Sequence, residues 1–228
     1  MFRPRIVLAA LVLLSTGPLA AQVTSVDEGS FTIVREGERV GREDFSIRSA
    51  PSANGRVLVA QGNSVTGGRR IAPALNADTT GFPSRYQLEV RVDGRVVESV
   101  SGQVSRNHYE ARTLRADGES AREFRLPSGT VIADDDVLHQ LWFIVRRGVG
   151  VTVPVLVPRR SVVEMVRVEF AGVERLTIDN REILARHLVL TTQGSGVSRD
   201  AWVDTGGRLL KAAIPSLKIV AVRDEAPR

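Results

Sequence analysis

The chain has 228 residues, 43% of them hydrophobic and 25% charged, with no cysteine. Those proportions are those of a chain that folds in water, and they exclude wholesale disorder and a multi-span helical membrane protein. The lack of cysteine excludes disulfides, thiolate metal sites, a cysteine nucleophile and a lipid-modified cysteine. The formal charge is +5, and only Lys211 and Lys218 among the basic residues are lysines. The arginines are interleaved with acids, as in Arg35, Glu36, Glu38, Arg39, Arg42, Glu43 and Asp44. A mixed-sign surface of this kind serves solvation, so no nucleic-acid partner is expected.

Residues 1–21 carry Arg3 and Arg5, an apolar run from Ile6 to Leu14, then Gly17, Pro18 and a small-residue exit at Ala20 and Ala21. This is the pattern of a cleaved secretory signal peptide, with the cut after Ala20, after Ala21 or one residue later. The apolar run is shorter than the roughly 20 residues a membrane-spanning helix needs. The mature chain, residues 22–228, is therefore expected in the periplasm or outside the cell, as one domain.

From Gly29 onward apolar and polar residues alternate with period two, which predicts half-buried antiparallel strands. Phe31 and Ile33, a turn at Glu36-Gly37-Glu38, then Val40, Phe45 and Ile47 form a first hairpin. Asn54-Gly55 starts a strand over 56–66, whereas Gly62–Phe82, with Gly67-Gly68, Pro73 and Gly81, reads as a loop. Tyr86, Leu88, Val90 and Val92 share one face of a strand that turns at Asp93-Gly94 into 95–101. A further pair flanks Asp117-Gly118. Asp134, Asp135 and Asp136 precede Val137, Leu138, Leu141, Trp142 and Val145, and Arg146, Arg147 and Gly148 follow. That spacing predicts one capped helix of about three turns over 135–147, its acids and arginines placed to suit the helix dipole. Strands resume at 151–157, where Pro154 marks an edge or bulged position, and continue through 161–170, 173–178, 183–192, 197–203, 208–214 and 217–223. The predicted class is all-β, mainly antiparallel: a curved sheet or half-barrel wrapped around one α-helix.

The chemical motifs are negative. His108, His139 and His187 lack the spacing of a metal site, so no metal and no cofactor are expected. Gly62-Asn63-Ser64-Val65-Thr66 lacks the last glycine of a nucleophile elbow, and Gly67-Gly68 is not followed by a helix start. Asp135 and His139, four apart, could form an ion pair, although capping accounts for the aspartates more cheaply. The chain is read as no enzyme.

The aliphatic character of the apolar face, with aromatics at 5%, suits an acyl chain as well as a plain core. Three stretches resemble a group of exported bacterial proteins related in fold to the LolA-like lipoprotein carriers. They are Gly129–Gln140, Val153–Arg160, and the closing run through Arg186-His187-Leu188-Val189-Leu190, Trp202-Val203-Asp204, Gly207–Lys211 and Ile214-Pro215. The resemblance covers roughly the last hundred residues. It implies an antiparallel sheet wrapped part-way round a helix with a concave apolar side, and it brings no catalytic residues. Trp202-Val203-Asp204 by itself reads as an aromatic packed on a hairpin with an acid at the turn.

The resulting expectation is a non-catalytic cell-envelope protein that binds a lipid or acyl chain on the concave face. The binding residues are Phe31, Ile33, Phe45, Ile47, Leu88, Val90 and Val92, faced by Leu138, Leu141, Trp142 and Val145. The alternative is a structural or interaction module with a solid core, whose partner is an envelope protein. Contact with a membrane is peripheral at most.

Overall fold

The structure is a computed structural model that describes residues 22–227; the signal-peptide expectation falls outside them. The strands in chain order are β1 (Thr24–Arg35), β2 (Glu38–Ser52), β3 (Gly55–Thr66), β4 (Arg69–Asp78), β5 (Pro83–Val92), β6 (Arg95–Ser105), β7 (His108–Arg115) and β8 (Gly118–Arg125). A connecting segment holding β9 (Val131–Ile132) and α1 (Leu141–Val145) leads to β10 (Thr152–Val157), β11 (Val162–Ile178), β12 (Arg181–Thr192), β13 (Ser198–Val203), β14 (Leu209–Ile214) and β15 (Ile219–Arg223). All fifteen strands join one unclosed curved sheet in the order β8-β7-β6-β5-β4-β3-β2-β1-β15-β14-β13-β12-β11-β10-β9. Every pairing is antiparallel except β9 with β10. The all-β half-barrel expectation holds at this level.

The turns follow their residues. Glu36-Gly37 and Asp93-Gly94 have positive φ at both positions, as a two-residue hairpin turn demands. Pro154 is not on an edge strand, since β10 lies between β9 and β11, but the short β9 pairs only with Val155 and Leu156 and leaves the β9 side of Pro154 unpaired. Trp202 packs in a hairpin, and the Asp204 carboxylate accepts from Arg208 N at the turn, as its tripeptide predicts.

Two expectations are corrected. Gly62–Phe82 is no loop but the end of β3, a turn, and β4, whose Ile71, Pro73, Leu75 and Ala77 face inward. The β3–β4 ladder breaks between Gln61↔Ala74 and Ser64↔Ile71, and Pro73, without an amide hydrogen, sits in that gap. The second correction concerns the helix, which spans Leu141–Val145 instead of 135–147. Asp136 has a φ of 62°, a left-handed conformation that stops any helix running through it. The aspartates do not cap it: Asp134 accepts from Asp135 N and from Tyr86, while Asp135 and Asp136 bind arginines. All five residues of α1 are buried, which fits a helix apolar on every side and enclosed by a sheet.

The segment from Leu126 to Val145 fills the concave side as a plug. Leu126, Val131, Ile132, Val137, Leu138 and the α1 residues join one apolar cluster with the inward faces of β1–β7 and β10–β15. The two limbs of the sheet meet round it. Buried Glu98 on β6 accepts from Arg115 on β7 and from Arg159 in the turn after β10. A second, smaller cluster lies outside the barrel. A bulge at Gly172 separates the end of the β11–β12 hairpin from the rest, and its Leu176, Ile178, Ile183 and Ala185 pack on Trp202, Leu210 and Ala213. The hairpin thus folds back over the outer face of β13 and β14, which makes the sheet a spiral.

Candidate functional site

The concave face is built by parity. Phe31 and Ile33 on β1, Phe45 and Ile47 on β2, and Leu88 and Val90 on β5 all point inward and are buried. Leu138, Leu141, Trp142 and Val145 are buried in the same cluster, so the structure brings ten of the eleven predicted residues together. Val92 is the exception: it ends β5 beyond the plug and is 38% exposed. The partner of the face in this structure is the chain's own plug.

A buried polar group holds the plug to the face, and the sequence reading missed it. Glu43 on β2 has the inward parity of Phe45 and Ile47 and is fully buried. Its Oε2 accepts from Leu138 N at 2.9 Å, and its Oε1 accepts from His139 N at 2.7 Å and from the His139 ring at 2.9 Å. A carboxylate only accepts, so His139 Nδ1 carries the hydrogen. Glu43 therefore satisfies the free amides just before α1, the task expected of the aspartates, from a strand 95 residues away in the chain. His139 is buried, not a surface histidine, and pairs with Glu43 rather than with Asp135. Its ring stacks on Phe45 at 5.7 Å between centroids, and Phe45 stacks on Phe31 at 5.1 Å. Gly62 makes room for that ring: a Cβ at 62 would stand 2.5 Å from His139 Cε1.

A second buried polar group lies deeper. Tyr86 on β5 donates to Asp134 at 3.1 Å, and Asp134 N donates to Gln140 Oε1 at 2.8 Å. Burial pushes the Asp134 carboxyl up to about 7, against the opposing field of Arg159 and the hydrogen bond from Tyr86. Burial likewise raises the Tyr86 hydroxyl well above its ordinary range, so it stays a donor.

The interior leaves little space. An apolar notch of about 70 Å³ opens at one end, lined by Ile33, Ile71, Leu138, Ile214 and Ile219 and rimmed by the Arg69–Asp136 ion pair. That is room for a few atoms, against several hundred Å³ in ordinary small-molecule sites. Past Asp136 and Ile214 a polar cleft of about 330 Å³ continues on the outside, where Asp135 binds both Arg160 and Arg199.

The other two histidines lie elsewhere. His108 meets Glu123 on the surface. His187, on the outer face, holds Asp200 at 2.8 Å through Nε2 and Glu174 at 3.0 Å through Nδ1. It stacks on Trp202, which Lys211 covers in turn. Among the described residues no group of three or more histidines and acids is placed to hold a metal ion.

No protein-family model matches the chain, and no curated protein matches it. Among solved structures it is similar to a β-barrel-like protein of the domain of unknown function DUF1849 from Brucella abortus. The identity is 9%, with 87% of this chain and 95% of that one covered and a TM-score of 0.55. A DUF1089 family protein from Pseudomonas aeruginosa aligns over 94% of this chain and 98% of that one, at 15% identity and a TM-score of 0.39. What the chain shares with the Brucella protein is its β-barrel-like fold.

Proposed function

We propose that the protein is an exported, non-catalytic module of the cell envelope that works by binding partners at its surface, with the plug a resident occupant of its concave face. The observation that carries this reading is the filled concave face: the residues suited to an acyl chain are covered by Leu138, Leu141 and Trp142, and the notch beside Leu138 holds only about 70 Å³. Export rests on the leader pattern of residues 1–21. The absence of chemistry rests on His139, whose ring nitrogen Nε2 is buried without a partner while Nδ1 is engaged by Glu43, so it has no hydroxyl to activate.

A second reading has its own support. The apolar notch at Leu138 is continuous with the concave face, and that end of the plug is tied down by the Glu43 carboxylate and by the Arg69–Asp136 ion pair at the rim. A lipid or acyl passenger would enter there if Glu43 released the plug. Native mass spectrometry of the protein recovered from the cell envelope, followed by denaturing extraction and lipid analysis, separates the two. The bare chain mass with no extracted lipid is the expected result. A stoichiometric apolar passenger would reverse the order of the readings.

A further inference from the structure

Beyond the bulge at Gly172 the inward-parity face of the β11–β12 hairpin runs past the end of the plug and has nothing over it. The register puts Phe170 opposite Leu188, Val173 opposite Arg186, and Arg175 opposite Leu184. The opposite face of the hairpin is the one packed on Trp202. Phe170, Val173 and Leu184 are 51%, 52% and 56% exposed and lie on one face of one hairpin, where they form a contiguous apolar surface. The loop after α1 extends the same surface. Val168 exchanges backbone hydrogen bonds with Gly150 and Val151, and Val149, 45% exposed, lines a cleft of about 260 Å³ with Arg146, Arg186 and Leu188.

The charges there have one sign in excess. Arg146 lies over Trp142 and Arg186 borders the cleft, and neither forms an ion pair with a carboxylate among the described residues. Arg175 is matched by Glu182, the only acid in the paired positions of this face, across an exposed ion pair. Glu174 points the other way, to His187 and Trp202. Half-exposed Phe, Val and Leu side chains alternating with unneutralised arginines are what an interfacial segment presents to a bilayer: apolar groups for the acyl boundary and guanidinium forks for phosphate.

The geometry points to this rim as a docking face for an anionic lipid bilayer, with Phe170, Val173, Leu184 and Val149 as the apolar contacts and Arg146 and Arg186 as the phosphate contacts. The face does not depend on whether the concave interior holds a passenger. It would hold the module at the membrane surface without a spanning segment; among the described residues no helix is long and apolar enough to cross a membrane.

The test is co-sedimentation of the protein with phosphatidylglycerol–phosphatidylethanolamine vesicles and with phosphatidylcholine vesicles at low salt. The parent should bind the anionic vesicles and lose binding as salt is raised. Arg146→Gln/Arg186→Gln should weaken binding by about tenfold or more, and Phe170→Ser/Leu184→Ser should weaken it comparably, both with unchanged melting temperatures because the replaced side chains are exposed. Equal binding to both vesicle types, or unchanged binding by either double variant, overturns the proposal. So does a concentration-dependent dimer that Phe170→Ser/Leu184→Ser dissolves while vesicles are ignored, since the face would then belong to a second copy of the chain. None of these outcomes alters the mass measurement that tests the interior.

Discussion

Glu43→Ala should lower the unfolding free energy by about 3–5 kcal/mol, because three buried donors lose their acceptor at roughly 1–3 kcal/mol each. The alanine would leave Leu138 N, His139 N and His139 Nδ1 without an acceptor in an apolar enclosure. Glu43→Gln should fall between parent and alanine variant, because one oxygen still accepts while the amide nitrogen faces donors. Urea unfolding at pH 7 reads both. A loss below about 1 kcal/mol for Glu43→Ala, the size of an ordinary hydrogen bond, would mean that Glu43 does not hold the plug and that its apolar contacts and the Tyr86–Asp134 and Arg69–Asp136 links do.

The second large effect is on pH dependence. The Asp134 carboxyl stands near 7 in the folded protein against 3.8 for the ordinary side chain, so the folded state holds its proton more tightly than the unfolded one. The stability this group contributes is complete below pH 3.8, declines as pH rises, and is lost once pH passes about 7. A shift of this size corresponds to roughly 4 kcal/mol across that window. Asp134→Asn keeps an acceptor for Tyr86 and carries no charge at any pH, so it should remove this slope. The variant should be close to the parent at pH 4 and clearly more stable at pH 8. A parallel pair of stability–pH curves would show that Asp134 does not titrate in this range.

How far the sequence reaches is plain from individual residues. Period-two alternation located most strands, and the Asp-Gly and Glu-Gly pairs located turns, because both signals are local. The helix was overdrawn because three aspartates before an apolar run look like caps; here their carboxylates are spent on Tyr86, Arg160 and Arg69, and the cap comes from β2. β4 was hidden by Pro73, which a strand tolerates only at an interruption of the ladder, and that interruption is set by its neighbour β3. Glu43 was within reach, since an acid in phase with Phe45 and Ile47 must either be paired or face solvent on the wrong side of the strand. Likewise the apolar run Leu209-Leu210 and Ala212-Ala213 marks a strand buried on both faces, which foretells the second cluster. What no local pattern carries is that residues 126–145 return into the concavity, because that depends on the two limbs of the sheet meeting at Glu98.

Whether the plug is a permanent occupant of the core, as proposed, is read by amide hydrogen exchange of Leu138–Val145 in the intact protein, with and without added oleate. A resident plug should show protection equal to that of β2 and β5, lost only on global unfolding and unaffected by the fatty acid. Faster exchange in this segment than in those strands, or protection that collapses when oleate is added, would contradict it and make the plug a gate over a lipid site.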